Sequence, residues 1–232
     1  MTNKIDFLKK YRKKVELISD GDFLLENSNL IPKYWKEIFE ILNQKDKIKK
    51  VIGLWEELAL DDFKATISYL KNNLVNVEII KTENEFSILY SVKSLSGKIL
   101  YYEGRLPVKN INNQGLREIW NKVPNSVKSF YEKLHNGFYY YPGINMGLVP
   151  LEDVILFSDY EWGIIDELEK PLQINLSTTF GFFQTGMGGY VAIDLNNCND
   201  NRATLWFSDD QPEYNRNFWN LVDEWVKIGL ED

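Results

Sequence analysis

Apolar residues recur at helical spacing through the first 74 positions and then switch to alternation. Ile5, Leu8, Val15 and Ile18 fall on one face of a first predicted helix, and the polar run from Ser19 to Asn29 interrupts it. Pro32 stands where a helix can begin without losing a needed hydrogen bond, and Trp35, Ile38, Phe39 and Leu42 follow at helical spacing. Ile48, Val51, Ile52, Trp55 and Leu58 make a third stripe. Asp61 and Asp62 suit the positive end of a fourth helix presenting Phe63, Ile67, Leu70 and Leu74. Aromatic stripes at this spacing are core material rather than a cofactor box.

Period two begins at Val75, with Val77 and Ile79, and continues in Phe86, Ile88, Tyr90 and Val92. Breaks at Thr82 to Glu85 and Ser94 to Gly97 separate these from a third run, Lys98 to Leu106, so three short strands in a meander are expected. Pro107 and the polar stretch Lys109 to Gly115 form the chain's most plausible boundary. The expected organisation is residues 1–115, helices plus a three-stranded meander of unassigned role, followed by a second unit at 116–232.

In that second unit the order is helix, strands, closing helix. Val127, Phe130, Tyr131 and Leu134 form a helical face that Asn136-Gly137 ends, because both residue types tolerate the left-handed backbone of a helix cap. The aromatic group Phe138 to Tyr141 alternates between core and surface. Gly147 to Pro150, Ile174 to Leu176, Phe180 to Thr185, Tyr190 to Leu195 and Ala203 to Phe207 read as strands of one sheet. Tyr214 to Gly229 reads as a helix with Phe218, Leu221, Val222 and Trp225 on the face that packs against it.

Several pieces of this half, in order, carry a family resemblance. Val123-Pro124, Phe130-Tyr131 and Asn136-Gly137 look like a proline-led helix with an aromatic residue before a terminal Asn-Gly. Leu148 to Val154 is similar to a hydrophobic strand followed by a short acidic helix. Gly188 to Leu195 resembles a glycine turn and a strand ending in Asp-Leu, and Asn217-Phe218-Trp219 opens a similar closing helix. Together they resemble the SUKH superfamily, which includes bacterial toxin-immunity proteins and a yeast regulator of cell-wall glucan synthesis. The insert Ser158 to Pro171 is long for the family, and residues 1–115 lie outside the match. The resemblance implies an α+β fold, a curved and mainly antiparallel sheet backed by helices, that serves as a protein-binding scaffold and carries no catalytic constellation.

Charge sharpens the partner class. The chain has 27 Lys and Arg against 34 Asp and Glu, a net of −7. Residues 1–115 hold 19 against 16, which leaves 8 against 18 and a net of −10 for residues 116–232. An acidic surface speeds the approach of a basic partner and disfavours general nucleic-acid binding, which draws affinity from releasing phosphate counterions. The opening MTNKIDFLKKYRKK lacks an apolar h-region before a small-residue cleavage site, and no run of about 18 apolar residues occurs. A cytoplasmic protein without a membrane partner is expected, as a monomer or weak homodimer. The lone Cys198, in a polar run, fits a reducing compartment and allows neither an intrachain disulfide nor a multi-cysteine metal site.

Catalytic chemistry has little to draw on, and no cofactor, metal site or catalytic residue is expected. His135, the chain's one histidine, reads as a cation at a helix C-terminus or a half-buried polar group. Gly186-Met187-Gly188-Gly189 leads into a strand rather than a helix, so it reads as a hairpin turn and not a phosphate cradle. Asp194, Asp209 and Asp210 are the carboxylates a hydrolase would use, yet Asp194 ends a strand where it can cap the next turn, and the other two stand in a solvated-turn composition. Two segments combine acids with aromatics in loops: Asp159, Tyr160, Glu161 and Trp162, and Asp209, Asp210, Glu213 and Tyr214. These eight are the candidate partner-binding residues, with Trp162 and Tyr214 equally suited to anchoring their loops to the core. The function expected is that of an immunity protein binding a cognate basic toxin, possible targets including nucleases. A regulatory adaptor is the alternative, and a carboxylate-dependent hydrolase stands further off.

Overall fold

The computed structural model describes residues 3–19, 21, 31–83, 85–197 and 201–232. Cys198, Asn84 and most of the polar run from 19 to 29 lie outside them. Helix α1 (Lys4–Tyr11) starts at Asn3, whose side chain accepts from the Ile5 amide, and it is shorter than its apolar spacing predicts. Val15 and Ile18 belong instead to a strand, β1 (Val15–Ile18), a Val-Glu-Leu-Ile run rich in β-branched residues that pairs antiparallel with Ile79 to Thr82. Helix α2 (Lys33–Phe39) begins after Pro32 and buries Trp35, Ile38 and Phe39, but Leu42 lies beyond its end and is exposed. Helix α3 (Gln44–Ala59) is capped by Asn43, which accepts from the Lys45 and Asp46 amides.

Helix α4 (Lys64–Asn73) corrects the reading of its start. Asp61 and Asp62 stand in the preceding turn, and the carboxylate that meets the helix's free amides is Asp223, from the far end of the sequence, accepting from Ala65 N and Thr66 N at 2.8 Å each. The meander then forms as expected: β2 (Leu74–Thr82), β3 (Glu85–Lys93) and β4 (Ile99–Arg105). A bulge between Leu74 and Asn76 turns Val75 outward while Leu74 and Val77 stay buried.

The stretch from 107 to 115 connects rather than separates. On its far side come α5 (Gln114–Ile119), α6 (Asn125–Ser129), which widens into a π-helical turn over Phe130–Leu134, and β5 (Asn136–Tyr140). Strand β5 pairs with β4, Tyr102 opposite Tyr140 and Gly104 opposite Phe138. Trp55 from the first half packs edge-on against Phe130 and Phe138 from the second, at 6.1 and 4.8 Å between ring centres. The two halves thus share one sheet and one main core.

The chain continues through β6 (Asn145–Leu148), β7 (Ile155–Leu156), β8 (Thr179–Gln184), β9 (Gly189–Asp194), β10 (Arg202–Phe207) and β11 (Glu213–Asn217) to α7 (Phe218–Glu231). Ile174 to Leu176 form no strand; Leu176 opens a single 3-10 turn. Tyr214 to Asn217, expected as the first turn of the closing helix, form the edge strand, and Asn217 caps α7 by accepting from the Asn220 amide. Gly137 takes φ +84°, and a side chain there would come within 2.8 Å of the Leu148 carbonyl, so glycine is needed for both conformation and space.

The product is the expected α+β class: among the described residues, seven α-helices and an open 11-stranded antiparallel sheet, β1-β2-β3-β4-β5-β6-β8-β9-β10-β11, with β7 added beside β8. The main core lies on one face, where Trp35, Trp55, Phe130, Phe218 and Trp219 meet Ile88, Tyr90, Phe138 and Val191. The opposite face is closed by two separate covers. Helix α1 packs Leu8 on Val15, Ile80, Leu89 and Tyr141, and the segment from 155 to 176 packs Phe157 and Trp162 on Ala192 and Trp206.

Candidate functional site

Of the two acidic and aromatic segments, the first belongs to the 155–176 cover and the second to the turn after β10. The indole of Trp162 lies 4.0 Å from that of Trp206 with planes 11° apart, and its Nε1 donates to the Phe157 carbonyl at 2.9 Å. Trp206 Nε1 in turn donates to the Asp210 carbonyl at 3.0 Å. Gln211 ties the segments from the other side, accepting from the Glu169 amide at 3.1 Å and donating to the Glu167 carbonyl at 3.2 Å. These contacts bring the segments together on one flank of the sheet.

The eight residues divide by burial. Asp159, Tyr160, Glu161, Asp209, Asp210 and Glu213 are exposed, with Tyr160 keeping 49% of its surface in solvent. Trp162 is buried and acts as the anchor, and Tyr214 is half-buried in the edge strand. Glu213 pairs with Arg216. Asp166, Glu167 and Glu169 add exposed carboxylates on the same insert. Charges this open act through solvent, over a Debye length of about 8 Å at physiological salt, which suits steering more than tight pairing.

Of the residues weighed for chemistry, Asp194 and the glycine loop have structural partners, while Asp209 and Asp210 are exposed. Asp194 caps the chain around it, accepting from Asn175 N at 3.0 Å, Thr178 Oγ1 at 2.6 Å, Asn196 N at 3.1 Å and Asn197 Nδ2 at 2.7 Å. Burial opposes its ionisation, but these donors together hold its carboxyl below the usual range. The glycine loop is the β8–β9 hairpin turn, with Gly188 at φ +79° and Thr185 N donating to the Gly189 carbonyl at 2.8 Å. Among the described residues no three His, Cys, Asp or Glu side chains gather as a metal would require.

His135 corrects the sequence reading, since it is wholly buried, neither a cation at a helix C-terminus nor a half-buried polar group. Its Nδ1 stands 3.1 Å from the Arg105 carbonyl, which can only accept, so the proton sits on Nδ1. Nε2 is then left to accept from the Tyr90 hydroxyl at 2.7 Å, and that oxygen accepts from Trp55 Nε1 at 3.1 Å. Burial pushes the imidazole pKa down to about 3, against a small opposing effect of the Arg105 carbonyl, so the ring is neutral.

A charged cluster on the α1 side has no counterpart in the sequence reading. Glu103, 1% exposed, accepts from Ser87 Oγ at 2.7 Å, pairs with Arg12 of the chain just after α1, and lies 3.9 Å from Arg105 Nε. Arg105 Nε donates to Tyr139 Oη at 2.7 Å, and the Arg12 guanidinium sits 4.4 Å above the Tyr141 ring. The one available signal was a glutamate inside the strand-like run Lys98 to Leu106.

No protein-family model, curated protein or solved structure matches the chain. Among the described residues no helix is long and apolar enough to cross a membrane.

Proposed function

We propose that this chain is a non-catalytic binding protein of the toxin-immunity type, which neutralises a cognate basic bacterial toxin, a nuclease being the favoured class, by occluding it with the acidic flank. The observation that carries the reading is the joining of the two acidic segments through Trp162, Trp206 and Gln211 on one flank, which also exposes Tyr160. A rigid aromatic among acids on a packed scaffold combines an anchor with steering charge. The resemblance of residues 116–232 to the SUKH superfamily and their net charge of −10 point the same way, as does the antiparallel sheet closed by α7. Such a protein would work in the cytoplasm, as a monomer or weak homodimer.

The second reading, a regulatory adaptor, draws support from β1 to β4, which extend the sheet well beyond the part that resembles the family and enlarge the surface open to other partners. A pull-down at low salt against the product of the adjacent gene separates the two. Capture of a toxin that weakens as salt is raised supports immunity through the acidic flank, and absence of capture counts against it.

A further inference from the structure

At the end of the sheet where α7 finishes, a groove of about 700 Å³ opens between that helix, β4, β5 and the β8–β9 turn. Its walls are Tyr140, Met146, Met187, Trp225 and Ile228, with Met187 72% and Ile228 44% exposed. Tyr102 also lines it. That side chain is wholly buried, and its hydroxyl has no hydrogen-bond partner, an uncommon condition for a buried phenol. The hydroxyl lies against Gly229, where a side chain would bring Cβ within 2.4 Å of it, so the helix comes this close only because the residue is glycine.

Two further features distinguish the groove and its margin. Met146 (φ 49°) and the neighbouring Ile144 (φ 51°) hold left-handed backbone that non-glycine residues rarely adopt and that concentrates at ligand clamps. Met146 Sδ accepts from the Gly186 amide at 3.1 Å and so joins the two turns, while thioether walls adapt readily to an incoming side chain. The rim is acidic, with Glu231 and Asp232 among the lining residues. Lys227 pairs with Glu231 at 2.9 Å, and the next turn along the same end of the sheet adds exposed Asp209 and Asp210.

We propose that this groove receives an arginine side chain flanked by apolar residues, presented by an extended segment of a partner protein. A guanidinium is planar and weakly hydrated, so it can stack on Trp225 or Tyr140 while pairing with Asp232. Its spare N–H groups offer the donor that the Tyr102 oxygen lacks, once the last turn of α7 at Gly229 shifts to admit them. A lysine ammonium has no plane to stack, a carboxylate is repelled by the rim, and an uncharged apolar group leaves both the acid and the phenol unanswered. This site goes beyond the acidic flank and does not require the partner to be a toxin.

The test uses the full chain carrying ¹³C-methyl methionine, titrated with the peptide Gly-Ser-Leu-Arg-Phe-Ser-Gly and with counterparts in which citrulline or glutamate replaces arginine. The arginine peptide is expected to shift the Met146 and Met187 methyl signals, assigned through the Met→Leu variants, and to bind about tenfold more tightly than the citrulline peptide. Asp232→Asn should reduce it to the citrulline level, Tyr102→Phe should weaken it, and Glu161→Gln on the acidic flank should leave it unchanged. Equal affinity for the three peptides, binding without movement of either methyl, or no binding up to millimolar peptide would overturn the proposal.

Discussion

At the α1 flank the outer face of the sheet is closed by apolar packing with a buried ion cluster beside it, and at the insert flank by stacked rings. Over β3 to β5, a buried carboxylate is held by Arg12, Arg105 and Ser87; over β8 to β10, Trp162 lies on Trp206 with no charge between them. The two closures fail differently. A buried ion cluster is tolerable only while every member is present, because each charge has left water and depends on the others. A stacked pair loses area and dispersion in proportion to what is removed. Removing one charge should therefore cost the α1 flank more than its area implies, whereas the insert flank should lose stability in proportion to the packing removed.

The sharpest way to break this comparison is Glu103→Ala. It strips Arg12 of its carboxylate partner while Arg105 keeps Glu152 and Glu85, and the expected loss is about 3 kcal/mol in urea unfolding. Glu103→Leu combined with Arg12→Met, which leaves Arg105 to Glu85, Glu152 and Tyr139, should recover most of that loss, since no charge is then left without a partner. A double variant no more stable than Glu103→Ala would show that the cluster is not the reason for the first effect. On the other flank, Trp162→Ala should cost about 3 kcal/mol, the lower end for a large aromatic removed from a core. Its signature should be local: amide exchange rising in 155–176 and along β9 and β10, with β2 to β4 still protected. Loss of protection across the whole sheet would mean that the insert is no separable cover.

How far these covers were legible in sequence follows from what each depends on. The helices α2, α3 and α4, the meander and the closing helix were visible because one side of each meets the main core and repeats at 3.6 or 2 residues. Strand β1 was not, because Leu8 and Val15 are seven apart and satisfy helical spacing even though the chain turns between them. Strand β3 shows why the α1 cover stayed hidden: Ser87 and Ser91 read as a solvent face but are buried beneath other elements, so polarity ceased to report exposure. The cap of α4 by Asp223 joins it to Ala65 and Thr66, 158 and 157 residues away, a distance at which local spacing says nothing. For the candidate site, the sequence located the two acidic segments and raised the anchoring role for Trp162, but their meeting on one flank depends on long-range contacts of Trp206 and Gln211 that local spacing does not announce.

A pH dependence comes from the main core, where His135 is buried among Trp35, Trp55 and Tyr90 and its hydrogen bond to the Arg105 carbonyl only tempers the effect of burial. His135 has its folded pKa pushed down to about 3 by burial, while an unfolded histidine titrates near 6.5. The unfolded state thus binds the extra proton first, and stability that is complete above about pH 6.5 is lost as pH falls, by about 1.4 kcal/mol per unit. Asp62 works in the opposite sense: burial and then Asp61 raise its carboxyl to about 6, so the folded state takes up that proton first and gains stability below that pH. Denaturant midpoints between pH 7 and 5 should fall, and fall more steeply in Asp62→Asn. The His135 Cε1 proton, the single histidine signal, should not move over that range; a midpoint near 6.5 would mean that the ring reaches water.

The smallest expected effect on folding separates the scaffold of the insert flank from its docking surface. Tyr160 is 49% exposed, and its ring meets only the rim of the aromatic cover, 6.4 Å from Tyr190. Asp159 and Glu161 are exposed beside it. Tyr160→Ala together with Asp159→Asn and Glu161→Gln should therefore change unfolding free energy by less than about 0.5 kcal/mol, as surface substitutions usually do. The same variant should capture a basic partner more slowly and with a flatter dependence on salt, because two steering charges and an anchor are gone while the surface beneath is intact. Trp162→Ala damages both properties at once, so only the exposed triple change shows which of them the flank owes to its surface. An unaltered association rate in a folded triple variant would move the docking site away from this flank, whatever the charge of the second half suggests.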